Sequence, residues 1–212
     1  MIKNTLLLSA TIILLLTIGL ACQTNTPTNE TTQTIENEEN LQHAYFASGC
    51  FWCVEAVYES VKGVHEVYNG YSGGHTKNPT YEDSNTGTTG HAEAVEVIYD
   101  STVVSFKQLV DVYYGSQNIE QVNGQGNDIG SQYRSIIFYQ TNQEKEIIET
   151  KINSLTTEGY KVASEVMPFE KFWMGEDYHQ DYEKLHPKHG YIVAVSIPRL
   201  NKFKAKFPEL LK

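Results

Sequence analysis

The chain has 212 residues, 40% of them hydrophobic and 20% charged, with 26 acidic against 16 basic side chains and a formal net charge of −10. That is the size of one soluble domain with an attachment, and its acidity, without any basic run, excludes a nucleic-acid surface, which needs clustered Lys and Arg to displace phosphate counterions. Three cysteines, Cys22, Cys50 and Cys53, are too few and too unevenly spaced for a disulfide framework or a four-ligand zinc site, so any cysteine chemistry is local.

Residues 1–21 carry Lys3 and then run from Thr5 to Ala21 without a charge, ending in small residues. A short positive start, an apolar stretch and a small-residue end make an export signal. Cys22, directly after Ala21, resembles the acceptor cysteine of a bacterial lipoprotein signal, although Gly19 stands where such signals usually have Leu. The expectation is an exported chain, anchored to a membrane by lipid on Cys22 and facing the periplasm or the exterior. An uncleaved anchor or an ordinary secretory signal would export it too. From Gln23 to Asn40 the chain holds six Thr, four Glu and Ile35 as its only large apolar residue, which is too little apolar surface to fold. Residues 22–41 therefore read as a polar tether spanning roughly 20–25 Å, and 42–212 as one folded domain.

Within the domain, His43 to Ala47 reads as a strand that turns at Ser48 and Gly49. Val54, Val57, Tyr58 and Val61 then recur at helical spacing, followed by Gly63, so Cys50 lies at a helix N-terminal edge. A strand over 64–71 leads into a loop rich in Gly, Thr and Asn. Next, 91–99 alternates, with Glu93, Val95, Val97 and Tyr99 on one face. Ser105 caps a helix bearing Phe106, Leu109, Val110 and Tyr113. After a second long loop, 117–132, the run 133–139 reads as a strand covered on both faces. Thr141 with Glu144 makes a capping box for a helix bearing Ile148, Ile152 and Leu155. The spacing predicts a further strand over 161–167, a helix over 176–186 stopped by Pro187, and a last strand over 191–197. Strands alternating with helices imply an α+β or α/β two-layer sandwich with a mixed sheet, and the two long Gly-rich loops are left for function.

Cys50 and Cys53, three residues apart at a helix start, would have Cα atoms roughly 5–6 Å apart, within disulfide range. The helix dipole should lower the Cys50 thiol pKa and favour a thiolate nucleophile; the plainer alternative is two inert, packed cysteines. Glu93 begins a strand face of Val95, Val97 and Tyr99. If buried there, it would hold a proton near neutrality and act as a general acid; a strand-end Glu reaching solvent is the alternative. The loop Gly124 to Arg134 fits no phosphate-binding pattern but offers acceptors and a phenol, as Tyr81 does in the earlier loop. His179, His186 and His189 match no common ligand spacing, so no metal is expected.

Taken together, Gly49-Cys50-Phe51-Trp52, Gly90-His91-Ala92-Glu93-Ala94-Val95, Gly126-Asn127-Asp128 through Gln132-Tyr133-Arg134-Ser135, and Glu176-Asp177-Tyr178-His179-Gln180 resemble the motifs of peptide methionine sulfoxide reductase A. They occur in order over most of 43–212, and Gly70 to Gly74 with Asn78-Pro79-Thr80-Tyr81 fits that family's first long loop. The resemblance implies a ferredoxin-like α+β catalytic domain over 42–212 that reduces methionine-S-sulfoxide, in proteins or free. It makes Cys50 the nucleophile and Glu93 the proton donor, with Phe51 and Trp52 around the methyl group and Tyr81, Asp128 and Tyr133 at the oxygen. It also implies a sulfenic acid on Cys50, resolved by a second thiol and reduced by an external thioredoxin-like dithiol, with no bound cofactor. Many members carry the resolving cysteine near the C-terminus. Here no cysteine follows Cys53, which stands where many members have Gly, so Cys53 is the expected resolving residue. The rival readings are a general thioredoxin-like dithiol oxidoreductase, which would carry Trp before the first cysteine rather than after it, and a non-catalytic surface lipoprotein.

Overall fold

A computed structural model describes residues 40–212; the expected export signal, Cys22 and nearly all of the tether lie outside the described residues. Strand alternation builds the sheet. In β1 (Leu41–Ser48) and β3 (Ala92–Asp100), Ala44, Phe46, Val95, Val97 and Tyr99 point to one face, and Tyr45, Ala47, Ala92 and Ala94 to the other. The two strands pair antiparallel; β2 (Val64–Ser72) extends the sheet on β3, and β6 (Ser135–Tyr139) extends it on β1. Short edges finish it, with β7 (Glu165–Pro168) parallel to β6 and β8 (Phe172–Met174) antiparallel to β2. The order is β7-β6-β1-β3-β2-β8.

Helices α1 (Phe51–Glu59), α3 (Phe106–Gly115), α4 (Asn142–Thr157) and α6 (Ile197–Lys206) cover the first face, burying Val57, Tyr58, Leu109, Tyr113, Ile148 and Phe203 against Phe46, Val95 and Val97. The second face is closed without a helix: Met167, Phe169 and Phe172 lie over Tyr45, Ala94 and Phe138, and the rings of Tyr45 and Phe169 stack 3.7 Å apart. This is the α+β, two-layer arrangement with a mixed sheet that the sequence implies. Helix α4 makes the crossover that the parallel pairing of β6 and β7 requires; the Ser105 cap and the Thr141/Glu144 capping box form as the sequence predicts, and Gln108 completes a second box at Ser105.

The long loops contain more structure than periodicity reveals. The first holds α2 (Tyr81–Asn85), opened by a Thr80/Asp83 capping box. The second holds a small hairpin of β4 (Gly124–Gln125) and β5 (Asp128–Ile129) and a 3-10 turn over Ser131–Tyr133. Both are too short to show a repeat.

Two expectations near the C-terminus fail. The helix expected over 176–186 is a 3-10 turn (Asp177–His179) followed by the single-turn α5 (Tyr182–Leu185), broken at Asp181, whose φ is 54°. Its polar groups are used elsewhere: Asn69 Nδ2 donates to the His179 carbonyl, and the Asp181 N–H donates to Glu55. The strand expected over 191–197 is a wide helical segment, Ile192–Ser196, running straight into α6. Its β-branched residues favour a strand, but Ile192, Ser196 and Phe203 are buried at helical spacing, so packing overrides propensity.

Gly70 sets how closely β8 approaches β2. A Cβ there would lie 2.3 Å from the Trp173 carbonyl oxygen and 2.5 Å from the Phe172 ring. Gly70→Ala is expected to push β8 off the edge and cost about 1–3 kcal/mol, read as a lower urea midpoint at unchanged slope. An unshifted midpoint would show that β8 is not clamped there.

Candidate active site

The site forms where β1 ends and α1 begins. Gly49 turns the chain in the left-handed region at φ 82°, with Gln125 so close that an added Cβ would lie 2.6 Å from its Cβ. Gln125 is the strut of the second loop. Its amide nitrogen donates to Gln117, to the Asn118 carbonyl and to Ser135, and its oxygen accepts from the Asn118 N–H. Cys50 follows as the N-cap of α1, which brings Cys50, Phe51, Trp52 and Cys53 within the first turn.

Glu93 meets this turn from β3. It is 2% exposed, and its Oε2 accepts the Phe51 N–H at 3.0 Å. Burial pushes its carboxyl up to about 8 against that hydrogen bond, and the charges of Asp128 and Cys53 push the same way. Of the two readings of Glu93, the buried acid is the one realised. Tyr81 and Tyr133 face it: burial raises both phenols, and the charges of Glu93, Cys50 and Asp128 add to this.

Aromatic rings make the opposite wall. Phe51 packs on Tyr71 and His179, and Trp52 stacks on Tyr182 at 3.8 Å. The Trp52 indole N–H donates to His179 Nδ1 at 3.2 Å, so His179 carries its proton on Nε2, which lies 3.7 Å from Glu176. Burial holds this imidazole neutral. Glu176 ties the wall to the first loop, accepting from the Tyr81 N–H and the Tyr71 hydroxyl, both at 2.8 Å. Asp128 accepts from the Tyr191 hydroxyl at 2.5 Å, and that hydroxyl lies 3.7 Å from Cys53 Sγ. The structure thus gathers Tyr81, Glu93, Asp128 and Tyr133, which stand far apart in the chain, around the turn of Cys50, Phe51, Trp52 and Cys53.

Both thiols are reduced and buried. Here the sequence expectation reverses. Cys50 makes no side-chain capping bond, and burial above all raises its pKa rather than lowers it. The thiol pulled down is Cys53, first by the neighbouring Cys50 and then, against burial, by the Arg199 charge.

The three histidines do not converge on a ligand position: His179 serves Trp52, while His186 and His189 pack against Tyr182. Of the acidic trio Glu55, Glu59 and Asp181, the last two hold the Lys184 ammonium, at 2.5 Å from Glu59 and 2.6 Å from Asp181. Sequence reasoning missed Tyr191, Arg199, Glu55 and Gln125. Tyr191 sat in a segment read as a strand, and the other three carry no local signal.

A family model described as peptide methionine sulfoxide reductase matches residues 42–211. The chain is 44% identical to peptide methionine sulfoxide reductase MsrA of Saccharolobus solfataricus over 173 residues, 81% of this chain and 98% of that one. It is also 44% identical to MsrA of Pasteurella multocida over 172 residues, covering 81% and 99%. Among solved structures, methionine sulfoxide reductase A of Corynebacterium diphtheriae aligns with a TM-score of 0.64 at 34% identity, covering 71% of this chain and 77% of that one. The reduced form of Mxr1 from Saccharomyces cerevisiae aligns with a TM-score of 0.66 at 28% identity, covering 71% and 88%.

Behind the site, Glu55 is a second buried acid, its carboxyl raised by burial from 4.5 to about 8 while it accepts the Asp181 N–H at 2.9 Å. A carboxyl whose pKa is raised by folding contributes stability that is present below its unfolded pKa and lost as pH climbs through the folded one. Glu55→Gln keeps an acceptor for Asp181 and removes this titration. Its stability relative to the parent should therefore rise steadily between about pH 4.5 and 8 in denaturant titrations. A difference that stays flat over this range would mean that Glu55 is ionised in the folded state.

Proposed function

The chain belongs to the peptide methionine sulfoxide reductase family and reduces methionine sulfoxide to methionine, and we propose that Cys50 and Glu93 carry that reaction. The observation that supports this most is the bond from Phe51 N–H to Glu93, which holds a protonated carboxyl beside the start of the helix that bears the thiols. The Cys50 sulfur attacks the sulfoxide sulfur of the S epimer, free or in a protein. Glu93 gives its proton to the oxygen as the S–O bond breaks, because an oxygen that gathers charge in a water-poor site needs a nearby acid. Phe51 and Trp52 enclose the methyl group, and Tyr81, Tyr133 and Asp128 surround the oxygen. The net two-electron change leaves methionine and a sulfenic acid on Cys50.

Cys53 then attacks Cys50 Sγ. The sulfenic oxygen leaves as water and a Cys50–Cys53 disulfide forms, which an external thioredoxin-like dithiol reduces. Two thiols within the first turn of one helix need little movement to join. The thioredoxin-like and structural-lipoprotein rivals fall with the family assignment. Export and lipid anchoring through Cys22 rest on the sequence of residues 1–22 alone. In membrane fractions of a lipoprotein-processing bacterium, Cys22→Ala should move the activity to the soluble fraction, and activity that stays bound would remove the anchor.

Supplied with methionine-S-sulfoxide and a dithiol, the parent protein should turn over continuously and Cys50→Ser should release no methionine. Cys53→Ala should release a single equivalent and retain a sulfenic acid detectable by mass spectrometry. Glu93→Gln should slow that first equivalent by roughly 10²–10⁴-fold and abolish the loss of rate above about pH 8. Sustained turnover by Cys53→Ala with thioredoxin would overturn the resolving role, and an unchanged pH profile in Glu93→Gln would overturn the acid.

A further inference from the structure

Tyr81 and Tyr133 reach the site from different loops, the first between β2 and β3 and the second between α3 and β6. Each sits on one short turn, α2 or the 3-10 turn over Ser131–Tyr133. Whatever joins the loops therefore sets the spacing of the two phenols.

The first loop is laced shut at its base. His91 Nδ1 accepts the Gly74 N–H at 3.0 Å, so Nε2 carries the ring proton and donates it to the Thr76 carbonyl at 2.8 Å. The His75 N–H donates to the Thr89 carbonyl at 3.0 Å. Arg134 then ties this closed loop to the second one. Its Nη2 donates to the Gly90 carbonyl and its Nη1 to the Ser131 carbonyl, both at 2.9 Å, while Nε lies 3.2 Å from Glu165 on β7. The Ser131 carbonyl also accepts the Arg134 backbone N–H at 3.3 Å, so side chain and main chain close together on the turn that carries Tyr133. The loops touch at this tie: a Cβ on Gly87 would lie 3.5 Å from Ser131 Oγ. The Arg134 side chain is 13% exposed. A rigid guanidinium fork suits two carbonyls and a carboxylate held in fixed directions, whereas an ammonium is a point charge on a flexible stem.

We propose that Arg134 is a positioning residue for the reduction: by binding Gly90 and Ser131 it sets the gap between the two loops, and hence the seat between the Tyr81 and Tyr133 hydroxyls in which the sulfoxide oxygen is held. This rests on the reading of those phenols at the oxygen and adds the group that spaces them. Burial raises both phenols, so each keeps a proton to donate, and the donation strengthens as the oxygen gathers charge. A wider gap weakens bonds made chiefly in the transition state. The methyl pocket is held from elsewhere, by Tyr71 and His179 against Phe51 and by Tyr182 against Trp52. Loss of Arg134 thus reaches the rate and spares the binding.

The test is the rate of the first methionine equivalent, without reductant, over a range of methionine-S-sulfoxide concentrations. Arg134→Met should lower the maximal rate roughly 10–10²-fold and change the half-saturating concentration less than about twofold. Arg134→Lys, which keeps the charge and reaches one carbonyl, should recover part of the rate; if Arg134→Met does not fold, Arg134→Lys carries the comparison. A double-mutant cycle decides whether the effect runs through the phenols. In Trp52→Phe, Arg134→Met should cost the same factor again. In Tyr81→Phe combined with Tyr133→Phe it should cost almost nothing more, whereas a merely structural contact would slow every background alike. A parental rate without Arg134, a loss confined to the half-saturating concentration, or an equal loss with and without the phenols overturns the proposal. A parental rate after removal of both phenols would instead sink the reading of the oxygen site.

Discussion

The first backbone N–H groups of a helix have no partner within it, and α1 has no remedy of its own. Its N-cap Cys50 makes no side-chain capping bond, and its first turn contains no acid. The Phe51 N–H is satisfied instead by Glu93, reaching from β3, and most of the site depends on this one bond. It ties the turn that carries both thiols to the middle of the sheet, and it keeps a carboxyl where water does not reach. A helix N-terminus favours a carboxylate while burial favours the neutral acid; with Glu93 enclosed, burial prevails and the group keeps a proton to give.

The rest of the site is held by the segment after β8. Gln180 exchanges two hydrogen bonds with the Asn69 backbone on β2, Asn69 Nδ2 reaches the His179 carbonyl, and Glu55 takes the Asp181 N–H. Those bonds replace a helix with a pinned turn, and the pinned turn carries the ring of His179. That ring sits against Phe51, Trp52 and Tyr81 and accepts from the indole. A wall that must keep one shape around a methyl group is therefore built from polar bonds made behind it, at the cost of regular secondary structure.

The two thiols show how little a motif says about charge. Adjacent on one turn of α1, they share the same helix end, and from that alone Cys50 would be the more acidic. In the fold, Cys50 is enclosed beside Glu93, while Cys53 faces the α6 side, where Arg199 is clamped by β1 and α3. Coulombic interaction falls with distance and strengthens as water is excluded, so the Arg199 charge adds to the neighbouring thiol in separating two cysteines that sequence treats as nearly equal.

Sequence by itself determined what depends on neighbours along the chain. Alternation marked β3 and placed Glu93 on its apolar face, short apolar or aromatic runs marked β1, β2 and β6, and the 3.6-residue period with the Ser105 cap and the Thr141/Glu144 box marked α1, α3 and α4. The order of the Cys50, Glu93, Tyr133 and Glu176 motifs pointed to the family. Tertiary structure alone decided what depends on groups that meet from distant positions: that 176–186 breaks at Asp181 because Asn69 and Glu55 claim its polar groups, that the β-branched run from Ile192 coils into α6 because burial there has a helical period, and that Arg199 lies beside Cys53. Backbone propensity and periodicity are local and can be read in order. Desolvation, and the field of a charge 146 positions away along the chain, exist only once the chain has closed on itself.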